Sequence, residues 1–595
     1  MVRSDYTFSN SAEEILRMVR RDPAYASILR EAEDNTRFAV EHFHDDFSRI
    51  AGWGHNFVCP DCASQLIFDP AMIYPPEKPF VCPHCGKEAV GKDLDEAWVY
   101  YYRYHFGSTL SDAALCALLG DEKALDFLIS YIDFYAAHYE EFPVHGDHAG
   151  KGKIMGQSLD EAVWGIQLLY AMKIVEELLP DEKKAGWLEK LFRPMCTLLA
   201  PQSNRIHNIP TWQRAFIGIV GLYFDDDALL HDAMDGDFGL RRQIACGFTK
   251  DGMWRECSLG YHYYTVEALT DFFSFYALKA PNDPLFDIFE KMYTAPLALS
   301  YDGFTLPALN DGWYPQSVSA LVLRAARLSS DPAIADQVAS LRRRVPERLL
   351  TLSALLYAVP EKTLTLYQDT NLAIFRAPVF AILKSGVLEA SHMHHDYLSI
   401  SLPPFSDDLG TPGYGHALTP AWYRLGASHD LVTVDQEVTG DVIPSRIEAI
   451  PGGARAVIES GAWKGLTHAE RSLTEEDGAL ADRSFYESEE EHAFDWIFHS
   501  LGEASFSSAL TPCAPLGEEN GYRFFTNVRK AASAPSFKAE FALNGKMLSL
   551  EIPDADGLEI YVANSPANPA DILRHTVILR KRGKSARFFA KFRVL

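Results

Sequence analysis

The sequence predicts an α domain followed by a β domain. Three observations carry this. The chain has 595 residues, too many for one ordinary domain. Up to about residue 357, apolar residues recur at i, i+3 and i+4 between short loops rich in Gly, Pro and Asp. After Pro360 the stretches become short, β-branched and aromatic, bounded by turn residues.

In order, Ser11 with Glu14 reads as a capping box opening the first helix. Helical periodicity follows over 121–139, 158–179, 210–224, 261–278 and 316–328. So many mid-length helices suit a helical array or toroid better than one bundle. No repeat is strict enough for a solenoid. Strands are expected over 363–376, 380–386, 397–402, 431–439, 454–461, 522–530, 547–552, 558–563 and 575–580. The stretch 586–595 alternates aromatic with basic or small residues, closing a large antiparallel sandwich.

The chain is 47% hydrophobic and 12% aromatic, enough for large cores, and its formal charge is −26. That balance argues against a generally basic nucleic-acid-binding surface. An acidic ligand would need Arg and Lys gathered in a cleft. No run of about 18 apolar residues predicts a membrane span. The first residues lack an apolar signal core. The expectation is therefore a cytoplasmic protein, or a periplasmic or secreted one whose signal has been removed.

Four of the nine cysteines form Cys59-Pro-Asp-Cys62 and Cys82-Pro-His-Cys85, on either side of residues 63–81. This is the spacing of a two-knuckle, four-thiolate zinc site. Prolines inside each pair and Gly86 after the second suit tight turns that aim backbone N–H groups at sulfur. Two disulfides are the alternative. They fit less well because the other five cysteines are scattered singly. Four thiolates leave no open coordination position, so such a zinc would pin a loop at 59–85.

Ser391-His-Met-His-His-Asp-Tyr397 places three histidines in four positions. If extended, His392 and His394 share a face, an arrangement for holding a metal or handling a proton. Asp407-Asp408-Leu-Gly-Thr-Pro-Gly-Tyr-Gly415 and then His429 add ligands suited to zinc or manganese. Asn204-Arg-Ile-His-Asn208 precedes a helix N-terminus, where the dipole favours anions. The run 251–264 ends in Tyr261-His-Tyr-Tyr264, which brings Tyr261 and Tyr264 to one side of a helix start.

Together these segments resemble the heparinase II/III-like polysaccharide lyases and, more distantly, the toroidal alginate lyases. The carriers are His-Met-His-His-Asp-Tyr-Leu-Ser, Asp-Leu-Gly-Thr-Pro-Gly-Tyr and Glu-Cys-Ser-Leu-Gly-Tyr-His-Tyr-Tyr. The resemblance implies an incomplete (α/α) toroid over 1–358 and an antiparallel β-sandwich over 359–595. It implies that Tyr261 is the catalytic tyrosine, that Asn208 with His207 neutralises a substrate carboxylate, and that His392 faces the active site. His394, Asp408 and His429 would hold a divalent metal, Zn2+ or Mn2+, beside the structural Zn2+ of Cys59, Cys62, Cys82 and Cys85. The sequence departs from the family at His207-Asn208, where Asn-His is usual. It departs again at His429-Asp-Leu-Val, where His-Asn-Thr-Val is usual.

The implied activity is β-elimination on uronic-acid polymers: glycosaminoglycans such as heparan sulfate, hyaluronan and chondroitin sulfate first, alginate second. The proton at C5 is α to a carboxylate, so the charge must be cancelled before a base removes it and an acid protonates the leaving O4. A tyrosine serves both steps if cations lower its pKa, and Arg205, Arg214 and Arg255 are the candidates. Where C5 has the opposite configuration, His207 or His392 is the better base. Trp212, Trp254 and Trp313 are candidate sugar platforms. Tyr264, Glu256 and Asp311 are further substrate contacts, although Asp311 in Asn-Asp-Gly-Trp also reads as a turn. Two other classes compete. A toroidal glycoside hydrolase would use Glu256 with Asp311, or Asp160 with Glu161. A non-catalytic carbohydrate-binding protein would use neither.

Overall fold

A computed structural model describes residues 12–21, 23–62, 64–72, 79–146, 150–301, 305–317, 320–326, 328–329, 331, 334, 363–440, 442–458 and 461–595. The N-terminal part is largely helical and the C-terminal part is antiparallel β. Ser11 of the expected capping box, and the expected boundary at 358, lie outside the described residues.

Contacts divide the chain into two units, and the division is not one cut. The first comprises Met1–Gly247, Tyr264–Tyr293 and Ser319–Leu352. The second comprises Phe248–Tyr263, Thr294–Val318 and Ser353–Leu595. Two stretches from the helical half of the sequence therefore pack with the β structure, and they carry Tyr261 and Asp311.

In the first unit, helix Lys92–Leu118 packs on Pro23–His42, Glu122–His138 and Ser158–Ile174. Ser158–Ile174 packs on Asn208–Tyr223, which packs on Asp227–Asp235. Helices Lys92–Leu118, Ser158–Ile174 and Asn208–Tyr223 thus pack one on the next. Lys92–Leu118 shows no clean apolar stripe because it is buried on several sides. One of its buried residues is Arg103, whose guanidinium meets Asp45 at 2.9 Å. Glu122–His138 is capped by Asp121, whose carboxylate accepts from Lys123 N and Ala124 N. The expected helix over 316–328 is instead a short strand, Gln316–Ser317, and a helix, Ala320–Ala326.

In the second unit a four-stranded antiparallel sheet runs Leu364–Tyr367, Leu372–Phe375, Ala381–Lys384, Ser399–Ser401. The expected strand at 363–376 is broken by a turn at Gln368–Thr370, where Asn371 takes a left-handed conformation. A twelve-stranded antiparallel sheet is built around two 22-residue strands, Ala479–Ser500 and Leu573–Val594. Their register shifts between Glu487 and His492, a bulge that bends the pair. The expected separate strands at 575–580 and 586–595 are one strand. Leu383 and Phe375 of the small sheet share one core with Val432, Leu473, Phe494 and Phe592 of the large one. The two sheets are therefore layers of one β unit.

Candidate active site and metal centres

The run with three histidines is a loop, not a strand. His392 has φ of +59°, left-handed backbone that a non-glycine residue adopts only when its surroundings enforce it. Its carbonyl accepts from Asp311 N at 3.2 Å. Asn310, at φ +55°, donates through Nδ2 to Cys257 O at 2.6 Å, and its Oδ1 accepts from His394 N at 3.3 Å. Lys384 Nζ donates to Asn310 Oδ1 and, at 2.7 and 2.6 Å, to both oxygens of Asp396. Four segments, those of Cys257, Asn310, Lys384 and the histidine loop, are tied together in this way.

Asp311 is the hub of the site. It is fully buried, and its carboxylate meets His392 Nδ1 at 3.2 Å and His394 Nε2 at 3.2 Å. It also accepts from Tyr414 Oη at 3.1 Å, from Arg424 Nε at 3.1 Å and from Arg424 Nη2. Burial pushes its carboxyl up, but the two histidines and Arg424 outweigh that and hold it far below the usual carboxylate range. The turn expected at 310–314 is present, and the carboxylate points inward from it.

Tyr261 lies in the first turn of helix Leu259–Lys279. Its ring stacks on His392, centroids 3.4 Å apart and planes 13° apart. Its hydroxyl is 2.7 Å from Tyr414 Oη, which is 2.8 Å from His392 Nδ1. His392 Nε2 lies 3.4 Å from buried Glu256. Burial raises the pKa of both phenols, with Asp311 adding to it, and Arg424 lowers them only in part. This differs from the expectation that nearby cations lower Tyr261, because desolvation is the larger effect.

The cation beside the phenols is Arg424, which no sequence motif singled out. Of the expected cations, Arg255 meets Glu389 at 2.6 Å, and Arg214 meets Asp232 at 2.7 Å and Asp237 O at 2.7 Å. Arg205 is exposed. Tyr414 was visible only as the end of Asp-Leu-Gly-Thr-Pro-Gly-Tyr. Trp254 is buried, whereas Trp313 is 48% exposed.

His207 and Asn208 lie in the first unit, where His207 caps helix Asn208–Tyr223 by accepting from Ile209 N at 3.3 Å. The helix begins two residues before the expected Pro210. Buried Gln243 donates to Arg205 O at 2.8 Å and accepts from His207 N at 3.2 Å, which fixes this turn. Trp212 is buried against Tyr264, ring centroids 5.0 Å apart.

Among the described residues, two clusters that each lie within one unit suit metal ions. His394, Asp408 and His429 are all buried, and their ligand atoms lie within 4.8 Å of one another. His394 Nε2 is engaged by Asp311, and His394 Nδ1 has no hydrogen-bond partner among the described residues. His429 Nε2 faces Tyr423 O at 3.1 Å, which leaves Nδ1 3.7 Å from Asp408. Burial lowers the pKa of His429, favouring the neutral ring that a metal requires. Each ring is thus oriented through one nitrogen, which leaves the other available to a metal. Asp430, at the departure from the family pattern, instead accepts from Ser406 Oγ and from His499 N at 2.8 Å.

Cys59, Cys62, Cys82 and Cys85 form the second cluster, as free thiols rather than disulfides. Sγ of Cys59 and Cys85 are 3.7 Å apart, and those of Cys62 and Cys82 are 3.5 Å apart. Hydrogen bonds with Ser64 pull the Cys62 thiol down to about 6, towards the thiolate that binds metal. A two-strand ribbon, Phe80–Val81 with Glu88–Ala89, carries the second knuckle.

An alginate lyase family model matches residues 144–288. That stretch holds His207, Asn208, Glu256 and Tyr261. An exo-oligoalginate lyase of Saccharophagus degradans is 29% identical over 230 residues, covering 35% of this chain and 30% of that protein. The chain therefore matches about a third of that relative's length. Among solved structures, a heparinase III superposes with a TM-score of 0.60 at 14% identity, covering 100% of this chain and 93% of that one. The heparan sulfate lyase HepC of Pedobacter heparinus gives 0.55 at 14%, covering 100% and 93%. A chondroitin AC lyase of Streptomyces coelicolor A3 gives 0.52 at 12%, covering 96% and 80%. The fold is that of the heparinase III-like lyases: a helical N-terminal region followed by a β domain.

Proposed function

We propose that this protein is a polysaccharide lyase that cleaves uronate-containing chains by β-elimination and leaves unsaturated uronate ends. The observation that carries the reading is the cluster of Tyr261, Tyr414, His392 and Arg424 around Asp311. Two phenols share a hydrogen bond, so a phenolate formed on one is stabilised by the O–H of the other. His392 Nδ1, beside Tyr414, is placed to take the proton that makes one phenol a base. That base removes the C5 proton, the other phenol protonates the leaving O4, and Arg424 supplies positive charge for the substrate carboxylate. Asn208 and His207 remain proposed carboxylate contacts.

The hydrolase alternative needs two carboxylates free to exchange protons. Asp311 is already satisfied by two histidines, a tyrosine and an arginine. Glu161 accepts from Ile154 N, Met155 N and Tyr139 Oη. In each nominated pair one carboxylate is thus already engaged, so neither pair offers two free carboxylates.

For the substrate, the family match and the exo-oligoalginate lyase favour alginate-type oligouronates ahead of glycosaminoglycans, reversing the order expected from sequence. The divalent metal at His394, Asp408 and His429 would fix the loops that carry the cluster, and Zn2+ at the four cysteines would pin the 59–85 loop. The test is ultraviolet absorbance on alginate, heparan sulfate, hyaluronan and chondroitin sulfate. Alginate is expected to give the largest rise. New reducing ends without absorbance on any polymer would favour the hydrolase.

A further inference from the structure

We infer that Asp311 is a positioning residue that couples the metal centre to the acid–base cluster, so that metal occupancy and the geometry of Tyr261, Tyr414, His392 and Arg424 depend on one carboxylate. The inference rests on the reading of His394, Asp408 and His429 as a metal site.

The geometry is specific. One oxygen of Asp311, Oδ1, meets His394 Nε2 at 3.2 Å and Arg424 Nε at 3.1 Å. The other, Oδ2, meets His392 Nδ1 at 3.2 Å, Tyr414 Oη at 3.1 Å and Arg424 Nη2. On the metal side, Asp311 holds the His394 ring through Nε2, which leaves Nδ1 without a hydrogen-bond partner among the described residues. On the cluster side, it sets the ring plane on which Tyr261 stacks and the guanidinium that lies over Tyr414. The backbone adds a second tie: Asp311 N donates to His392 O, and Thr411 N donates to Gly312 O at 2.8 Å. Gly410 makes this approach possible, because a Cβ there would stand 2.0 Å from Gly312 O.

Carboxylates that orient a metal-bound imidazole typically change metal affinity by roughly 10–100-fold when altered. Linkage makes such an effect reciprocal: whatever the carboxylate does for the metal, the metal does for the groups the carboxylate holds.

The test uses the full chain with Zn2+ alone as probe, in competition with a chromophoric chelator. Wild type is expected to hold two ions, and Asp408→Asn identifies the sandwich ion as the one it loses. Asp311→Asn is expected to hold that ion roughly 10–100-fold more weakly, with the four-cysteine ion and the circular dichroism spectrum unchanged. Equal affinity in wild type and Asp311→Asn overturns the coupling. If Asp408→Asn loses no ion, the metal reading itself has failed and the coupling falls with it. Should Asp311→Asn not fold, hydrogen exchange on wild type decides. The stretch 250–262 carries Glu256 and Tyr261 but none of His394, Asp408 and His429, and it is expected to exchange more slowly with the sandwich ion bound. Identical exchange with and without that ion overturns the proposal.

Discussion

Lys384 is the most informative residue to change. Its side chain is 3% exposed and its ammonium meets both oxygens of Asp396, whose side chain is fully buried. Lys384→Met keeps most of the volume and removes the charge, leaving Asp396 buried without a counterion. Breaking a buried pair by removing one partner costs about 3–5 kcal/mol. For a unit of this size each kcal/mol moves the melting temperature by roughly 1.5–2 °C, so a drop of roughly 5–10 °C is expected. The pH dependence gives an independent check. In wild type, burial pushes the Asp396 carboxyl up, but Lys384 and the neighbouring histidines outweigh it and hold the carboxyl below the usual range. A depressed folded pKa contributes stability that is present above the unfolded value of about 3.9 and is lost as pH falls through the folded value. Without Lys384 the buried carboxylate is unfavourable, so the variant's deficit is largest near neutral pH and shrinks as pH falls towards about 4. Calorimetry and urea melts across pH measure this, and Lys384→Met/Asp396→Asn, with no buried charge, should recover much of the loss. A single variant that melts within about 2 °C of wild type, or a deficit flat in pH, would refute the reasoning.

Three further outcomes are expected. Tyr261→Phe and Tyr414→Phe should each lower kcat by about 10²–10⁴-fold with little change in KM; losses under about tenfold in both would move the acid–base role elsewhere. Gly410→Ala combines a φ of +55° with the clash against Gly312 O, and should destabilise by more than about 1 kcal/mol in urea melts. Cys62→Ser should cost the chain one bound zinc and lower the melting transition of the helical unit, read by metal analysis and calorimetry; an unchanged zinc count would remove the four-thiolate site.

Much of the fold was legible because its signals are local. Asp121 caps its own helix, and the aromatic and β-branched runs after Pro360 mark strands by period alone. The features that were missed break those periods for physical reasons. Strands Leu466–Glu476 and Ala479–Ser500 carry Arg471 and Asp482, which face the interior and pair at 2.7 and 2.8 Å. A polar pair inside erases the apolar alternation that marks a half-buried strand. Helix Lys92–Leu118 was missed for a related reason: burial on several sides leaves no stripe.

The sequence by itself determined the elements whose partners are near in the chain: the cysteine knuckles with their turns, the switch from helical to strand periodicity, and the histidine run as a site of interest. Only the tertiary structure decided what the histidines meet. Glu256 and Tyr261 come from one stretch of the helical half and Asp311 from another, and both stretches pack with the β unit. Asp311 then gathers His392 and His394 from one loop and Tyr414 and Arg424 from further along the chain. Periodicity reports which way a side chain faces on its own element, whereas the partner it meets is chosen by long-range packing. A buried carboxylate in a turn therefore reads as a turn residue until the fold shows the four side chains that surround it.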